Sequence, residues 1–390
     1  MTTRQLVLSI GYGAVAGVVT ALTLALMHWV TALVWSVSPA RWYIGLAIMA
    51  GGVLIAALQH LDRGDSLADQ LDDAREGRSL DFKSLAILAA VAIISVGFGG
   101  AVGPEAGILA IVAELSALVS YLVARDHADH QLIAQTGAAG SMGAVYGSPP
   151  GGAAMAQGDD QVPRLPLILA GIAGFGGFLL TSEFLLHGAG IRIALPAHTP
   201  SGDGHDLFLA VGPALAGAAV GVLFAKLLPV IQSLLGRTGS PWVQTLVGTA
   251  AFAVMAMLVP LVRFSGHEQI DDLLAWGAMA GAVALLGLAV LKVMATATCL
   301  AAGWRGGAIF PLMMAGGAAG WAVAALFPAI PVTVALVAGM SAATTIGMGR
   351  PLAAALIALL LIGPASVGGL VCGVMIGWLV SLRVPKASVH

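Results

Sequence analysis

The chain has 390 residues, 59% of them hydrophobic and 9% charged, with a formal net charge of −2. Soluble domains carry about a quarter charged residues, so this composition excludes a soluble domain and marks an integral membrane protein. The near-neutral balance leaves no basic surface for nucleic acid. The two cysteines, Cys299 and Cys372, both lie in apolar runs and suggest no disulfide framework or metal site. No cofactor is expected.

Residues 6–36 read as a first, tilted span, too long for a signal-peptide core and without a cleavage site. Residues 42–61 return across the bilayer. Residues 62–83 are the most charged stretch, with Arg63, Arg75, Arg78 and Lys83 beside a run of acids. The positive-inside rule makes this loop cytoplasmic and the amino terminus with it. Residues 85–96 are short for a crossing and run into a glycine break at 99–107, after which 108–123 is again apolar. Residues 130–146 lead into a second interruption, Gly147-Ser148-Pro149-Pro150-Gly151-Gly152, and then to Asp159-Asp160; 165–186 is a clean span.

Proline and glycine at 191–206 mark a seam between two halves, 1–197 and 198–390. The second half reads as apolar runs at 207–235, 242–262 and 273–300, with a polar patch at 263–272. A third break follows at 303–311, and then come runs at 312–327, 332–348, 351–362 and 366–382. Arg383 and Lys386 place the carboxyl terminus inside as well. Glycine-interrupted segments at corresponding places in two halves are the sequence pointer to a midplane site in a transporter.

The first break holds a single carboxylate, Glu105, between runs apolar enough to sit in lipid. A charged side chain at that depth costs several kcal/mol and is a functional-site hypothesis by default. Pro104 and Glu105 also mark a helix that starts there. Such a helix turns its free N–H groups and positive dipole end toward whatever lies in front, which suits an anion. The functional reading is a gate: the carboxylate competes with an anion for those N–H groups and releases them on protonation. The bland reading is a helix-start acid in a polar crevice.

The stretch 306–311 offers successive backbone N–H groups, a nest for an anion, or else a glycine hinge. Asp159 and Asp160 read as a solvated loop or as an inner proton acid on the way to Glu105. Glu114, Glu183 and Lys292 in or near spans are explained by facing a cavity or pairing at a helix interface, and His28 by a packed, hydrogen-bonded role. The stretch 140–143 has the look of a membrane-protease serine loop, but no second histidine lies at depth to act as its base.

Gly103-Pro104-Glu105-Ala106-Gly107 resembles the Gly-Arg-Glu-Gly-Pro motif of the CLC chloride channel and proton/chloride exchanger family. Gly306-Gly307-Ala308-Ile309-Phe310-Pro311 is similar to its Gly-Gly-Ile-Phe-Ala-Pro motif, and the segment from Ala138-Ala139-Gly140 to Pro149 to its Ala-Ala-Gly…Phe-Asn-Ala-Pro segment. The motifs run in the family's order over nearly the whole chain, as in a short, divergent bacterial branch.

The resemblance implies an all-α inverted repeat of tilted and broken transmembrane helices, and a homodimer with one pore per subunit. It also implies a multi-pass protein of the bacterial inner membrane with no cytoplasmic regulatory domain. The implied activity is passage of chloride in exchange for protons, with a passive channel, or a carrier of another anion such as fluoride, as alternatives. Glu105 would be the gate. The N–H groups of Ala308 and Ile309, with Gly306, Gly307 and Phe310 around them, would hold the central anion. Those of Glu105, Ala106 and Gly107 would line an outer site, and Asp159, after a one-residue shift, would be the inner proton acid. The chain departs from the pattern at Pro104, which has no N–H. It departs again at Asp65, where the family's anion-binding serine falls, leaving Ser66 as the substitute. The family's tyrosine near the carboxyl terminus is missing, since no tyrosine follows Tyr146.

Overall fold

A computed structural model of the protein describes residues 3–61, 82–157, 164–185, 192–200, 204–363 and 366–384. Apart from turns, the irregular segment 192–200 and one isolated two-residue bridge, these residues are helical. In chain order the helices are α1 (Thr3–Trp35), α2 (Arg41–Leu61), α3 (Phe82–Gly97), α4 (Glu105–Val123), α5 (His127–Val145), α6 (Pro149–Ala156) and α7 (Arg164–Leu185). They continue as α8 (His205–Leu209), α9 (Val211–Gly236), α10 (Pro241–Leu258), α11 (Ile270–Gly277) and α12 (Ala282–Ala301). The last four are α13 (Ile309–Leu326), α14 (Val332–Met348), α15 (Pro351–Ile362) and α16 (Val367–Ser381). Among the described residues, eight helical stretches are long and apolar enough to cross a membrane. At 33 residues, α1 is about 50 Å long, well over a hydrocarbon core of about 30 Å, so it must tilt.

Local chemistry explains where these helices start and stop. Asp126 caps α5 by accepting from the Asp129 N–H at 2.8 Å, and Ser148 caps α6 by accepting from Gly151 at 3.2 Å. Prolines open α6, α10 and α15, where a missing N–H costs nothing. Two readings from sequence need correction. The run 273–300 is a short α11 and a separate α12, because a turn at 278–281 intervenes, and α8 is distinct from α9.

The two halves repeat one packing scheme. In the first, α1 packs on α3, α4, α5 and α7, while α5 packs on α4, α6 and α7. In the second, α9 packs in the same way on α12, α13, α14 and α16, while α14 packs on α13, α15 and α16. The halves meet where equivalent helices touch each other, α2 on α10 and α6 on α15. Arg350, just before α15, donates to the carbonyls of Ala154, Met155 and Gln157 at the end of α6. The Ser148 hydroxyl donates to Leu356 O at 2.9 Å. These bonds close the α6–α15 seam with groups that a helix end leaves open.

Candidate functional site

The two glycine breaks have the same construction. In the first, Gly99 takes φ +82° after α3, with Gly99 N–H donating to Val96 O and Gly100 N–H to Ser95 O. In the second, Gly303 takes φ +84° after α12, with Gly303 N–H donating to Leu300 O and Trp304 N–H to Cys299 O. This is the left-handed glycine cap that ends a helix and turns the chain. The next helix starts in equal register: Ile108 N–H reaches Pro104 O, and Leu312 N–H reaches Ala308 O. Every equivalence has one offset, 303 − 99 = 307 − 103 = 312 − 108 = 204.

At the centre the breaks pair with each other. Gly103 N–H donates to Gly307 O at 2.7 Å and Gly307 N–H to Gly103 O at 2.9 Å, an antiparallel bridge between the halves. Beyond the bridge, Glu105, Ala106 and Gly107 at the start of α4, and Ala308, Ile309 and Phe310 at the start of α13, donate to no backbone acceptor. Two helix ends thus bring open amides to one place, as the free turn of any helix does.

Glu105 fills that place. It is 3% exposed, and a Cβ added to either Gly103 or Gly307 would collide with its carboxylate. The side chain therefore lies on the glycine bridge and faces the second break. Neither oxygen has a well-formed hydrogen bond, although the N–H groups of Gly307, Phe310 and Glu105 itself lean toward it. An unpaired buried carboxylate is costly unless something else offsets it. Its register mate in the other half is Ile309, so only one of the two equivalent positions carries an acid.

The surroundings hold this arrangement. Trp304 is buried and donates to Thr249 Oγ1 at 2.9 Å, and Ser95 Oγ accepts from the Arg305 N–H at 2.9 Å. Gln59 donates to Gly303 O at 2.7 Å and Gln244 to Ala301 O at 2.9 Å. Phe264 holds φ 59°, a strained value for a bulky residue. Two bonds fix it: Phe264 N–H to Gly99 O at 3.1 Å, and the Lys292 ammonium to Phe264 O at 2.7 Å. Lys292 is fully buried and also donates to Val262 O and Arg263 O, both at 3.1 Å. It therefore pins the 260–264 turn onto the first break.

A family model described as "Voltage gated chloride channel", CLC, matches residues 65–383. The chain belongs to the CLC family. It is a multi-pass membrane protein of ion transport and not an enzyme. A CLC-type fluoride/proton antiporter superposes with a TM-score of 0.79 at 18% identity, covering 99% of this chain and 97% of that one. A slow cyanobacterial Cl-/H+ antiporter gives 0.76 at 17% identity, covering 98% and 95%. YfeO of Escherichia coli, named for ion transport, is 24% identical over 300 residues, 75% of this chain and 70% of its own. At these identities the solved structures establish the CLC fold, in which the inverted repeat is the shared architecture.

Within this CLC chain, Glu105, Ala106, Gly107, Gly306, Gly307, Ala308, Ile309 and Phe310 converge on one locus. The Gly307 N–H is already committed to Gly103 O, which leaves Ala308, Ile309 and Phe310 as the open amides of the second break. Ser66, Asp65, Asp159 and Asp160 lie outside the described residues. Sequence reasoning missed Tyr146, which is fully buried with its ring 5.4 Å from that of Phe310 and within electrostatic reach of Glu105. Nothing in its spacing marks it. Sequence reasoning also gave Lys292 only the generic role of facing a cavity or pairing at a helix interface, although a lysine inside a span is itself a signal.

Proposed function

We propose that this CLC protein exchanges a small inorganic anion, chloride in the first instance, for protons, with Glu105 as gate and proton carrier. The observation that carries this reading is the buried, unpaired Glu105 carboxylate between two sets of open amides. Ionised, it occupies the electropositive space an anion needs. Protonated, it loses its charge and its claim on the N–H groups, and an anion can take its place. Ala308, Ile309 and Phe310 then hold the central anion, Ala106 and Gly107 with the Glu105 N–H line the outer approach, and Gly306 and Gly307 keep the floor bare of side chains.

A second reading, fluoride in place of chloride, is favoured by the likeness to the fluoride/proton antiporter over almost the whole chain. The working unit in this reading is a homodimer in the bacterial inner membrane, each subunit with its own pore and with both termini cytoplasmic. The repeats divide at 197/198.

The test is anion-driven proton movement in proteoliposomes, with chloride and fluoride run in parallel. A gradient of the carried anion should drive proton flux of fixed stoichiometry. Anion flux without protons would establish a passive channel instead, and no flux of either ion would remove the transport assignment for both.

A further inference from the structure

The site as described lacks a source for its proton: Glu105 is buried, and neither of its oxygens has a hydrogen-bond partner. A crevice of about 400 Å³ reaches its immediate neighbours, with Pro104 and Phe310 in its wall. The same crevice is lined by His28, Phe264, His267 and Glu268. His28 Nδ1 lies 2.8 Å from Leu24 O, which can only accept, so Nδ1 carries a hydrogen. Its Nε2 lies 2.5 Å from Glu268 Oε1. At that distance a proton must sit between them, because two lone pairs facing each other would repel. The pair is therefore either imidazolium and carboxylate or imidazole and carboxylic acid, and it holds one bound proton in both forms.

Both side chains remain about half exposed, 43% and 55%, and both line the crevice. His267 is the next ring inward. Its charge bears on Glu268 and its ring lies 4.9 Å from that of Phe310, whose N–H leans on the Glu105 carboxylate. Side-chain to backbone bonds fix the loop that carries both residues: Gly266 N–H donates to Gln269 Oε1 at 2.9 Å, and Lys292 holds the turn before it. The other ionisable groups on the surrounding elements are accounted for. Arg263 lies over Trp35, 4.4 Å from the ring centroid, and feels Asp272. Asp271 is exposed on α11, and Glu183 is exposed on α7. Arg4 and Asp129 pair at the far end of α1, where His127 and His130 also lie, and Lys83 and Arg164 begin their own helices. Glu114 lies deeper along α4.

We propose that the His28–Glu268 pair, with His267 behind it, is a proton-loading site that takes protons from water at the crevice mouth and passes them to Glu105. The transfer balances: the pair gives up its bridging proton, crevice water and His267 relay one proton inward, the Glu105 carboxylate becomes the acid, and hydronium from the bath reloads the pair. The inference rests on the exchange reading of Glu105.

The experiment measures anion-driven proton flux in proteoliposomes of the full chain, with chloride and fluoride in parallel, as the pH on the crevice side is varied. The proteins compared are wild type, His28→Gln, Glu268→Gln, His267→Gln and His28→Gly. At neutral pH, proton flux should fall about a hundredfold or more in His28→Gln and Glu268→Gln, as for loss of a positioned acid–base group. It should recover as the crevice side is acidified, and imidazole in the bath should restore it in His28→Gly. Wild-type flux in both Gln variants at every pH would overturn the inference, as would a loss that neither acid nor imidazole repairs. Wild-type vesicles that move anion without protons would instead overturn the exchange reading itself, before any variant is compared.

Discussion

At the scale of single residues, the bare glycine floor and the buried groups around it decide what the site can do. A methyl group at position 307 would occupy the space of the Glu105 carboxylate, so Gly307→Ala should push the acid off the bridge. Stability should fall by about 1–3 kcal/mol, the usual cost of overpacking, and thermal unfolding in detergent beside a flux assay should show both losses together. Lys292→Met should also destabilise, by about 1–3 kcal/mol, because it strands carbonyls that the ammonium now satisfies. Its mark should be a lower Tm with the 260–264 turn released from Gly99. Glu268 gives a pH-dependent prediction. The hydrogen bond from His28 holds its carboxyl below the usual carboxylate range, so its folded pKa lies under its unfolded one. The stabilisation is complete above about pH 4.3 and is lost as pH falls through the lower folded value. A Tm difference between wild type and Glu268→Gln should therefore exist at about pH 7 and vanish in strong acid; a difference that persisted there would come from packing instead.

At the scale of elements, a break is a left-handed glycine cap, a two-residue bridge and a helix start. Much of this is legible in sequence. Gly99 and Gly303 stand where a helix must turn, and Pro104 with Glu105 announces a new first turn. The bridge between Gly103 and Gly307 is not legible, because it joins residues about half a chain apart and glycine leaves no side-chain pattern to pair. The α11–α12 turn was hidden for a different reason: the run 273–300 is apolar on both sides of it, and hydropathy does not register a turn within lipid depth. Tyr146 and His267 reached the site through tertiary packing that no local spacing encodes. Close helix crossings follow from glycine in both halves, with Gly140 against Gly13 and Gly339 against Gly217. Gly339→Leu, whose Cβ would run into the Gly316 carbonyl, should thus separate α14 from α13 and abolish stable folding, whereas Leu at Gly176, which has open space around it, should be tolerated. Size-exclusion profiles in detergent distinguish the two.

At the scale of the whole molecule, a single packing scheme used twice brings the amino-terminal ends of α4 and α13 to one place, while the halves meet across the α2–α10 and α6–α15 seams. The pattern of runs and breaks already pointed to such a repeat, a similarity of pattern and not of residue identity. The outcome is an asymmetric site in a symmetric frame: Glu105 has Ile309 as its counterpart, so one acid serves both sets of amides. The measurement closest to this claim is the number of protons moved per anion by wild type and by Glu105→Gln in the same vesicles. A fixed, non-zero ratio is expected for wild type and none for the variant while anion still crosses. A Glu105→Gln protein that moved protons in the wild-type ratio would contradict it.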